Sequence, residues 1–232
     1  MSESIVKNIV TLINNIMAPV CLNTNNSKNY LIPKIGVSGA ADMGFLGEES
    51  YEIAKEIGRE ITRQGAIMMS GATTGFPYWA AVGCKEMCGV SVGLSPAASV
   101  REHTEVYRLP LENMDFITYT GFGYSGRDLL FTRSCDAIII GPGRIGTYHE
   151  FTISFEDQKP IGILMGDGKW ETDEIIKLMV DKSHRPNKKI VFDDNPQRLI
   201  AKLLQLVAED RKLLRGYKNY DGVDSPKEGT VF

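Results

Sequence analysis

Short apolar runs alternate with helix-like patterns between about residue 33 and residue 212. The runs contain few polar residues, which is typical of strands that are buried on both faces of a sheet. We predict strands at Lys34–Ser38, Ala66–Ser70, Val90–Leu94, Phe116–Tyr119, Ala137–Ile140, Pro160–Met165 and Lys189–Phe192.

The segments between these strands carry apolar residues at helical spacing. Helices are predicted near Glu49–Gln64, Tyr78–Met87, Arg127–Ser134, Tyr148–Glu156, Glu171–Lys182 and Gln197–Lys212. Alternating strands and helices favour a parallel sheet, and right-handed crossovers put helices on both of its faces. We therefore predict an α/β fold, a Rossmann-like doubly wound parallel sheet of about seven strands.

The two ends of the chain differ from this regular part. Residues 1–30 are predicted to form an amphipathic helix and a polar linker, because apolar residues recur at helical spacing at Ile5, Ile9, Leu12, Ile13 and Ile16. Residues 33–212 are predicted to form a single nucleotide- or phosphate-binding domain. Residues 216–232 are rich in Gly, Asp, Pro and Lys and are predicted to be loose.

The charge balance narrows the classes of partner. The formal net charge is −3, and 24% of the residues are charged. A broad nucleic-acid-binding face requires clustered Lys and Arg and is therefore not expected. The apolar stretch from Ile16 to Leu22 is interrupted by Pro19 and is much shorter than the roughly 20 residues of a membrane span. We expect a cytoplasmic protein that binds neither nucleic acid nor membrane.

The four cysteines, at positions 21, 84, 88 and 135, lack the close spacing of a disulfide-rich domain. Cys84 and Cys88 share a predicted helix face, as a metal-binding pair does. Structural zinc requires four ligands, however, and neither a histidine nor a third cysteine lies near them in the sequence. We therefore predict buried thiols in a reducing compartment and no metal site.

Ligands of doubly wound folds bind at the loops that follow the carboxyl ends of the strands. Four such loops are rich in glycine or hydroxyl residues: Ser38–Asp42, Ser70–Gly75, Thr120–Gly126 and Gly141–Thr147. Because these loops meet at one edge of the sheet, we predict that they form one binding site for a phosphorylated ligand. The predicted binding residues are Ser38, Gly39, Gly71, Thr73, Thr74, Gly75, Gly121, Gly141, Gly143, Arg144, Ile145, Gly146 and Thr147.

The segment from Gly141 to Glu150 is the most informative part of the sequence. It joins a predicted strand to a helix that is predicted to begin at Tyr148. Glycines let the backbone approach a ligand closely, and the N–H groups and dipole of a helix start attract phosphate. The segment also fits a capping box, since Glu150 stands three positions after Thr147, and this alternative requires no ligand.

Several side chains near these loops admit more than one interpretation. Arg127 is predicted at a helix start, where a cation opposes the dipole, so binding or catalysis is favoured over a structural role. Arg144 is either an additional phosphate ligand or a solvated residue on a turn. Thr73 and Thr74 either donate hydrogen bonds to a ligand or form an ordinary turn. His149 is a candidate contact at the rim of the site.

The chain resembles the Lonely Guy-like family, formerly called lysine decarboxylase-like, from about Ile35 to Leu164. The family pattern P-G-G-x-G-T-x-x-E matches Pro142 to Glu150, with Arg144 in place of the second glycine. Arg127 and Asp136 have the spacing of the family's arginine and of the aspartate that follows it. The enzymes of this family hydrolyse nucleoside 5′-monophosphates to free base and ribose 5-phosphate.

Within this superfamily, Thr120–Gly123 followed by Arg127 and Asp128 resembles the branch that includes molybdenum cofactor carrier proteins. The resemblance implies two alternative functions. In a phosphoribohydrolase, Glu150 contacts the ribose hydroxyls and assists attack of water at C1′, and Arg127 holds the substrate, so these two residues are catalytic. In a non-catalytic carrier, the same loop holds the phosphate of a nucleotide or of a molybdopterin-type cofactor.

The resemblance also has implications for cofactors and assembly. It implies that no cofactor is required and that the bound molecule is a small phosphorylated ligand, either a nucleotide or the molybdenum cofactor. It further implies a homodimer or a higher homo-oligomer, with binding sites near the contact between subunits.

Overall fold

The computed structural model describes residues 31–215, so the predicted N-terminal helix and C-terminal tail lie outside the described residues. Its strands are β1 (Lys34–Ser38), β2 (Ile67–Ser70), β3 (Ser91–Ser95), β4 (Phe116–Tyr119), β5 (Ala137–Ile140), β6 (Ile161–Leu164) and β7 (Ile190–Asp193). They form one parallel sheet in the order β4-β3-β2-β1-β5-β6-β7. The predicted doubly wound α/β fold is confirmed.

The described residues form six α-helices: α1 (Glu49–Arg63), α2 (Phe76–Glu86), α3 (Gly123–Ser134), α4 (Ile145–Glu156), α5 (Glu171–Lys182) and α6 (Pro196–Arg215). A short π-helical turn, Glu102–Val106, follows β3. The predicted starts of α2, α3 and α4 are wrong, because each helix begins two to four residues earlier. Glycines and hydroxyl residues, which disfavour helix interiors, are tolerated in first turns, where N–H groups need no intrahelical acceptor.

Helices α1 and α2 pack closely because each presents a glycine to the other. A Cβ on Gly58 would lie 1.8 Å from the carbonyl oxygen of Ala80, and a Cβ on Gly83 would lie 1.9 Å from that of Lys55. The two helix backbones are therefore in direct contact. This packing fixes the loop after β2, which leads into α2.

Apolar side chains form two clusters, one on each face of the sheet. In β1, Ile35 and Val37 contribute to the cluster that includes residues of α1, α2 and α6. In β5, Ile138 and Ile140 contribute to the opposite cluster, which includes residues of α3, α4 and α5. Helices cover both faces of the central strands β1, β5 and β6, which are almost fully buried, and this explains their nearly continuous apolar sequences.

Helix α6 is the longest described helix and is amphipathic. Its Leu199, Ile200, Leu203 and Val207 are buried against the sheet, while the intervening positions are more exposed. Within residues 31–215, no helix is both long and apolar enough to cross a membrane.

The described cysteines are not all buried. Cys84 and Cys135 are buried, and burial raises the pKa of both thiols. Cys88 is exposed, so the prediction of a buried thiol is wrong at this position. Its backbone has a φ of 55°, because the chain turns sharply after α2 and carries the side chain out of the core.

The strand order reverses between β1 and β5. From β1 the chain proceeds outward to β4 and then returns across the sheet to β5, on the other side of β1. The connections that leave β1 and β5 diverge, and ligands of doubly wound folds bind in the crevice at such a point. Here the two loops are joined by a backbone hydrogen bond of 2.7 Å from Ala40 N to the carbonyl oxygen of Pro142.

Candidate functional site

A cavity of about 330 Å³ lies at this reversal in strand order. The loops after β1, β2 and β5 border it, together with the first turns of α3. We name it the carboxylate pocket, and its charged and hydroxyl residues include Arg127, Asp128, Arg144, Thr147 and Glu150. Three carboxyl groups, those of Asp42, Asp128 and Glu150, and two guanidinium groups therefore line one crevice.

Arg127 lines the carboxylate pocket and is buried, with 5% of its surface exposed. A Cβ on Gly71 would lie 1.2 Å from Arg127 Nη1, so only glycine leaves room for the guanidinium. Nη1 lies 3.7 Å from Glu150 Oε1, and Nε lies 3.2 Å from Asp128 Oδ1. The second contact is not aligned as a hydrogen bond, so the Nε–H lacks an acceptor among the described residues.

The sequence argument for a functional Arg127 relied on its predicted position at a helix start, and this position is wrong. Helix α3 begins at Gly123, so Arg127 lies in its second turn, where the dipole has little effect. Tertiary packing holds the side chain instead. The Tyr124 ring lies 5.9 Å from its guanidinium carbon, and Gly71 lies against its terminal nitrogen. The unsatisfied Nε–H is a stronger reason to assign Arg127 to a ligand site.

Glu150 is buried and accepts a hydrogen bond from the Ser38 hydroxyl. Burial raises the pKa of Glu150 from an ordinary 4.5 to about 7; Arg127 opposes this shift, and the neighbouring Asp128 carboxylate adds to it. The two carboxyl groups also share a hydrogen bond. A pKa near 7 suits this carboxyl group to proton transfer at neutral pH, and Ser38 provides its hydrogen-bond donor in the carboxylate pocket.

Asp128 connects Glu150 to the protein surface. Asp128 Oδ2 lies 2.8 Å from His149 Nδ1, and the His149 side chain is 42% exposed. A chain of three titratable side chains thus runs from buried Glu150 through Asp128 to solvent. The predicted contact of His149 with a ligand stays a prediction, and its observed partner is Asp128.

Helix α4 begins at Ile145, with Arg144 as its N-cap, and no side chain caps its first turn. The alternative of a capping box is therefore wrong, because Thr147 and Glu150 both lie inside the helix. First-turn N–H groups have no intrahelical acceptor. Gly146 and Thr147 line the carboxylate pocket, and a Cβ on Gly146 would meet nothing within 4 Å. An uncapped helix start therefore opens into the cavity.

Gly143 has a structural partner. Its N–H donates to Thr172 Oγ1 at 2.9 Å, and that hydroxyl donates to the Gly143 carbonyl oxygen at 3.1 Å. A Cβ on Gly143 would lie 1.9 Å from Thr147 Oγ1, so a side chain does not fit there. Gly143 shapes the turn that precedes α4, and the N–H groups that remain for a ligand belong to the residues after it.

Three predicted binding glycines hold the loops together. A Cβ on Gly39 or on Gly141 would lie 2.9 or 2.6 Å from the Phe76 side chain, so both loops pack on this residue. Gly75 has a φ of 73°, and a Cβ there would lie 2.0 Å from the carbonyl oxygen of Ala40. These glycines bring the loops after β1, β2 and β5 into contact around the carboxylate pocket.

The remaining predicted binding residues lie at different distances from the cavity. Thr73 lines the carboxylate pocket. Thr74 donates its hydroxyl to the carbonyl oxygen of Ala41 at 2.8 Å and thereby joins two loops. Gly121 has a φ of 70°, and its N–H donates to the carbonyl oxygen of Ala97 at 2.9 Å. Ligand contacts at all of the predicted binding residues stay predictions.

A second cavity, of about 640 Å³, adjoins the first at Arg144. We name it the aromatic pocket, because Phe45, Tyr148 and Trp170 line it together with Arg144 and Ile145. The Arg144 guanidinium carbon lies 4.1 Å from the centre of the Phe45 ring, which is cation–π geometry. Arg144 is thus stacked on an aromatic ring where both cavities meet.

The structure adds functional candidates that the sequence patterns did not reveal. Asp128 and Tyr124 line the carboxylate pocket, and Phe45 and Trp170 line the aromatic pocket. In the sequence, its position next to Arg127 was the signal that could have identified Asp128. Phe45 lies in an irregular loop, where no sequence pattern identified it. In the part of the chain that the structure describes, no three His, Cys, Asp or Glu side chains are grouped to hold a metal ion.

The chain belongs to the SLOG cluster4 family, whose model matches residues 32–200. An uncharacterized protein from Archaeoglobus fulgidus is 29% identical over 131 residues, which cover 56% of this chain and 79% of that protein. The molybdenum cofactor carrier protein of Chlamydomonas reinhardtii has a similar structure, with a TM-score of 0.59 and 25% identity over 76% of this chain and 99% of that chain.

The molybdenum cofactor binding protein of Rippkaea orientalis is also similar, with a TM-score of 0.59 over 78% of this chain and 98% of that chain. At 22% identity, this second likeness shows the fold alone. The family match and the similarity to the Chlamydomonas reinhardtii protein confirm the predicted relation to the Lonely Guy-like superfamily near its molybdenum cofactor carriers.

Proposed function

We propose that this SLOG cluster4 protein binds a phosphorylated, nucleotide-like ligand and acts as a binding or carrier protein. The phosphate lies at the first turn of α4, beside Gly146 and Thr147, within reach of Arg127. The observation that carries the proposal is the Arg127 Nε–H, which is buried in the pocket wall without an acceptor. A phosphate or sugar oxygen supplies that acceptor.

Two further observations support the proposal. The uncapped start of α4 offers N–H groups and a positive dipole end to an anion. In addition, similar structures are described as a carrier and a binding protein of the molybdenum cofactor. A nucleotide and a molybdopterin-type cofactor both join a phosphate to a planar heterocycle, so either fits the proposed ligand class.

Hydrolysis of nucleoside 5′-monophosphates is a second candidate function. Glu150 favours it, because a buried carboxyl group with a pKa near 7 lines the same cavity as Arg127. Such a group is suited to proton transfer at neutral pH, and its anion stabilises an oxocarbenium-like centre. In this reaction water attacks C1′, the N-glycosidic bond breaks, and the base leaves with a proton.

Copurifying small molecules distinguish the two functions. Mass spectrometry of the purified protein is combined with an assay for ribose 5-phosphate release from AMP, IMP, GMP and CMP. A retained nucleotide or pterin without product release supports the carrier, and release of ribose 5-phosphate supports the enzyme. A protein that neither retains nor binds any of these molecules would contradict both.

Gly146→Val is expected to weaken AMP binding at least about tenfold, because its side chain enters the space beside the phosphate donors. The fold should persist, since a Cβ at this position meets nothing within 4 Å in the protein itself. Isothermal titration calorimetry measures the affinity, and thermal melting checks the fold. Gly146→Ala should give a smaller loss, and unchanged affinity in a folded Gly146→Val protein would put the phosphate elsewhere.

We also propose a homodimer in which the partner covers the β3–β4 side of the sheet. Phe116 is 62% exposed on the edge strand β4 and pairs with Val92 of β3, which is only partly buried. Leu129 and Leu130 of α3 are also partly exposed. Parallel sheets are normally covered on both faces, and a second copy of the chain presents a matching apolar surface.

Light scattering tests this assembly. The wild-type protein is expected to have about twice the 25.7 kDa mass of one chain at micromolar concentration. Phe116→Lys should shift it toward the monomer, because a charge is costly to bury in an apolar contact. Leu178→Lys is the control, since Leu178 is 57% exposed on α5 at the other end of the sheet. A monomeric wild-type protein would exclude the proposed dimer.

A further inference from the structure

We propose that the carboxylate pocket and the aromatic pocket bind one ligand that carries an organic group on each side of its phosphate. The ligand is a pyrophosphate ester or a phosphodiester, with a sugar-like group in the carboxylate pocket and a planar aromatic ring in the aromatic pocket. This inference rests on the proposed phosphate site at the start of α4 and specifies the class of ligand.

The start of α4 lies where the two cavities meet. Gly146 and Thr147 line the carboxylate pocket, Ile145 lines the aromatic pocket, and Arg144 lines both. A phosphate group on the first-turn N–H groups therefore has a cavity on either side. A monoester has a single organic group and fills one of these cavities, whereas a diester or a pyrophosphate ester fills both.

The chemistry of the carboxylate pocket suits a group with several hydroxyls. Glu150 and Asp128 offer carboxyl oxygens, Thr73 offers a hydroxyl, and Arg127 retains an unpaired N–H. An apolar ring in this cavity would leave the buried Arg127 Nε–H without an acceptor, which is unfavourable. A sugar-like group supplies both donors and acceptors to them.

The aromatic pocket presents exposed apolar side chains beside charged ones such as Lys169 and Glu171. Ile145 is 80% exposed at the first position of α4, and Phe45 is 47% exposed in the loop after β1. Tyr148 and Trp170 form further parts of the wall. Planar heterocycles stack on such side chains, and covering these exposed apolar surfaces is favourable.

Arg144 links the two parts of the ligand. Its guanidinium stacks on Phe45 and it is also the N-cap of α4, where the phosphate binds. A ring that stacks on Phe45 is therefore held next to a cation that also contacts the phosphate. This dual position provides a reason for an arginine where the family pattern has a glycine, since a glycine has no side chain to stack or to pair.

Calorimetry with three probes tests the inference: ribose 5-phosphate, AMP, and ADP-ribose, which has a sugar and an adenosine on opposite sides of a pyrophosphate. ADP-ribose is expected to bind the wild-type protein at least about tenfold more tightly than either monoester, because it fills both cavities. Phe45→Ala and Ile145→Ser should each weaken ADP-ribose binding about tenfold, as loss of a stacking or apolar contact does. Ribose 5-phosphate binding should be unchanged in Phe45→Ala, because Phe45 does not line the carboxylate pocket.

Leu178→Ser is the matched control, because it removes an exposed aliphatic side chain that lines neither cavity. It should not change the affinity for any probe. If AMP binds as tightly as ADP-ribose, a single organic group is sufficient and the inference is overturned. Unchanged ADP-ribose affinity in folded Phe45→Ala and Ile145→Ser proteins overturns it as well.

The same experiment separates this inference from the proposed function. If ribose 5-phosphate binds and ADP-ribose binds no more tightly, the phosphate site stands and the two-sided ligand is excluded. If none of the three probes binds, the phosphate site itself is refuted, and the inference falls with it.

Discussion

Replacing Arg127 with alanine is expected to lower the affinity for a phosphorylated ligand by about 10²-fold. Arg127 is buried in the wall of the carboxylate pocket, and its Nε–H has no hydrogen-bond acceptor among the described residues. A hydrogen bond between charged groups contributes about 1.5–3 kcal/mol, and roughly 2.7 kcal/mol corresponds to that loss. Calorimetry with the copurified ligand, or with AMP, measures the change.

The control for this variant lies in the same helix. Arg133→Ala removes an exposed guanidinium that pairs with Asp157 at 2.9 Å. Such surface pairs contribute about 0–1 kcal/mol to stability, so neither the affinity nor the melting temperature should change much. Equal effects of the two alanine variants would indicate that the charge acts at long range rather than through a ligand contact.

Gly71→Ala tests the position of Arg127 without removing its charge. The added Cβ would lie 1.2 Å from Nη1, so the guanidinium must leave its place beside Glu150. The affinity should fall nearly as much as in Arg127→Ala. Wild-type affinity in a folded Gly71→Ala protein would show that the buried guanidinium is not part of the binding site.

Glu150→Gln is expected to separate catalysis from binding. In a phosphoribohydrolase, loss of a positioned carboxyl group should lower the rate of ribose 5-phosphate release by roughly 10²–10⁴. In a carrier there is no turnover to lose, and only the affinity changes. The control is Glu156→Gln, which neutralises an exposed carboxylate at the end of the same helix. A wild-type protein that binds AMP without releasing its base would end the enzyme hypothesis.

The same variant should change how stability depends on pH. Burial raises the pKa of Glu150 to about 7, so the folded protein binds this proton more tightly than the unfolded chain, whose pKa is near 4.5. The resulting stability is present below pH 4.5 and is lost as the pH rises through about 7. A shift from 4.5 to about 7 corresponds to at most about 3 kcal/mol.

The side chain introduced by Glu150→Gln is uncharged at every pH, so the variant should not lose stability in this way as the pH rises. Its free energy of unfolding, relative to that of the wild type, should therefore improve between pH 5 and pH 8 by up to about 3 kcal/mol. Urea denaturation at both pH values measures the difference. A constant difference between the two proteins would mean that Glu150 has an ordinary pKa in the folded state.

The sheet was predictable from the sequence because local patterns encode it. All seven strands lie within about one residue of their predicted positions, since a strand buried on both faces must be apolar along its length. The location of the site at the carboxyl edge also follows from the strand and helix order, because parallel strands bring their following loops together. The loop from Gly141 to Thr147 was identified in the same way.

The starts of the helices beside the site were less predictable. Glycines and hydroxyl residues indicated loops at Gly123–Ser125 and Ile145–Thr147, but these residues form the first turns of α3 and α4. Local propensity does not determine where a helix starts when tertiary contacts hold its first turn. Here Thr172 of α5 binds the turn before α4 through Gly143, which is 29 residues away in the sequence.

The sequence by itself determined the fold and the family, because these depend on periodicity and on residues that are close in the chain. Only the tertiary structure decided the environment of each functional side chain. Ser38 and Glu150 are 112 residues apart and share a hydrogen bond, while Gly71 makes room for Arg127. The raised pKa of Glu150, the unpaired Nε–H of Arg127 and the contact of Arg144 with Phe45 follow from burial and proximity, which arise only when distant segments pack together.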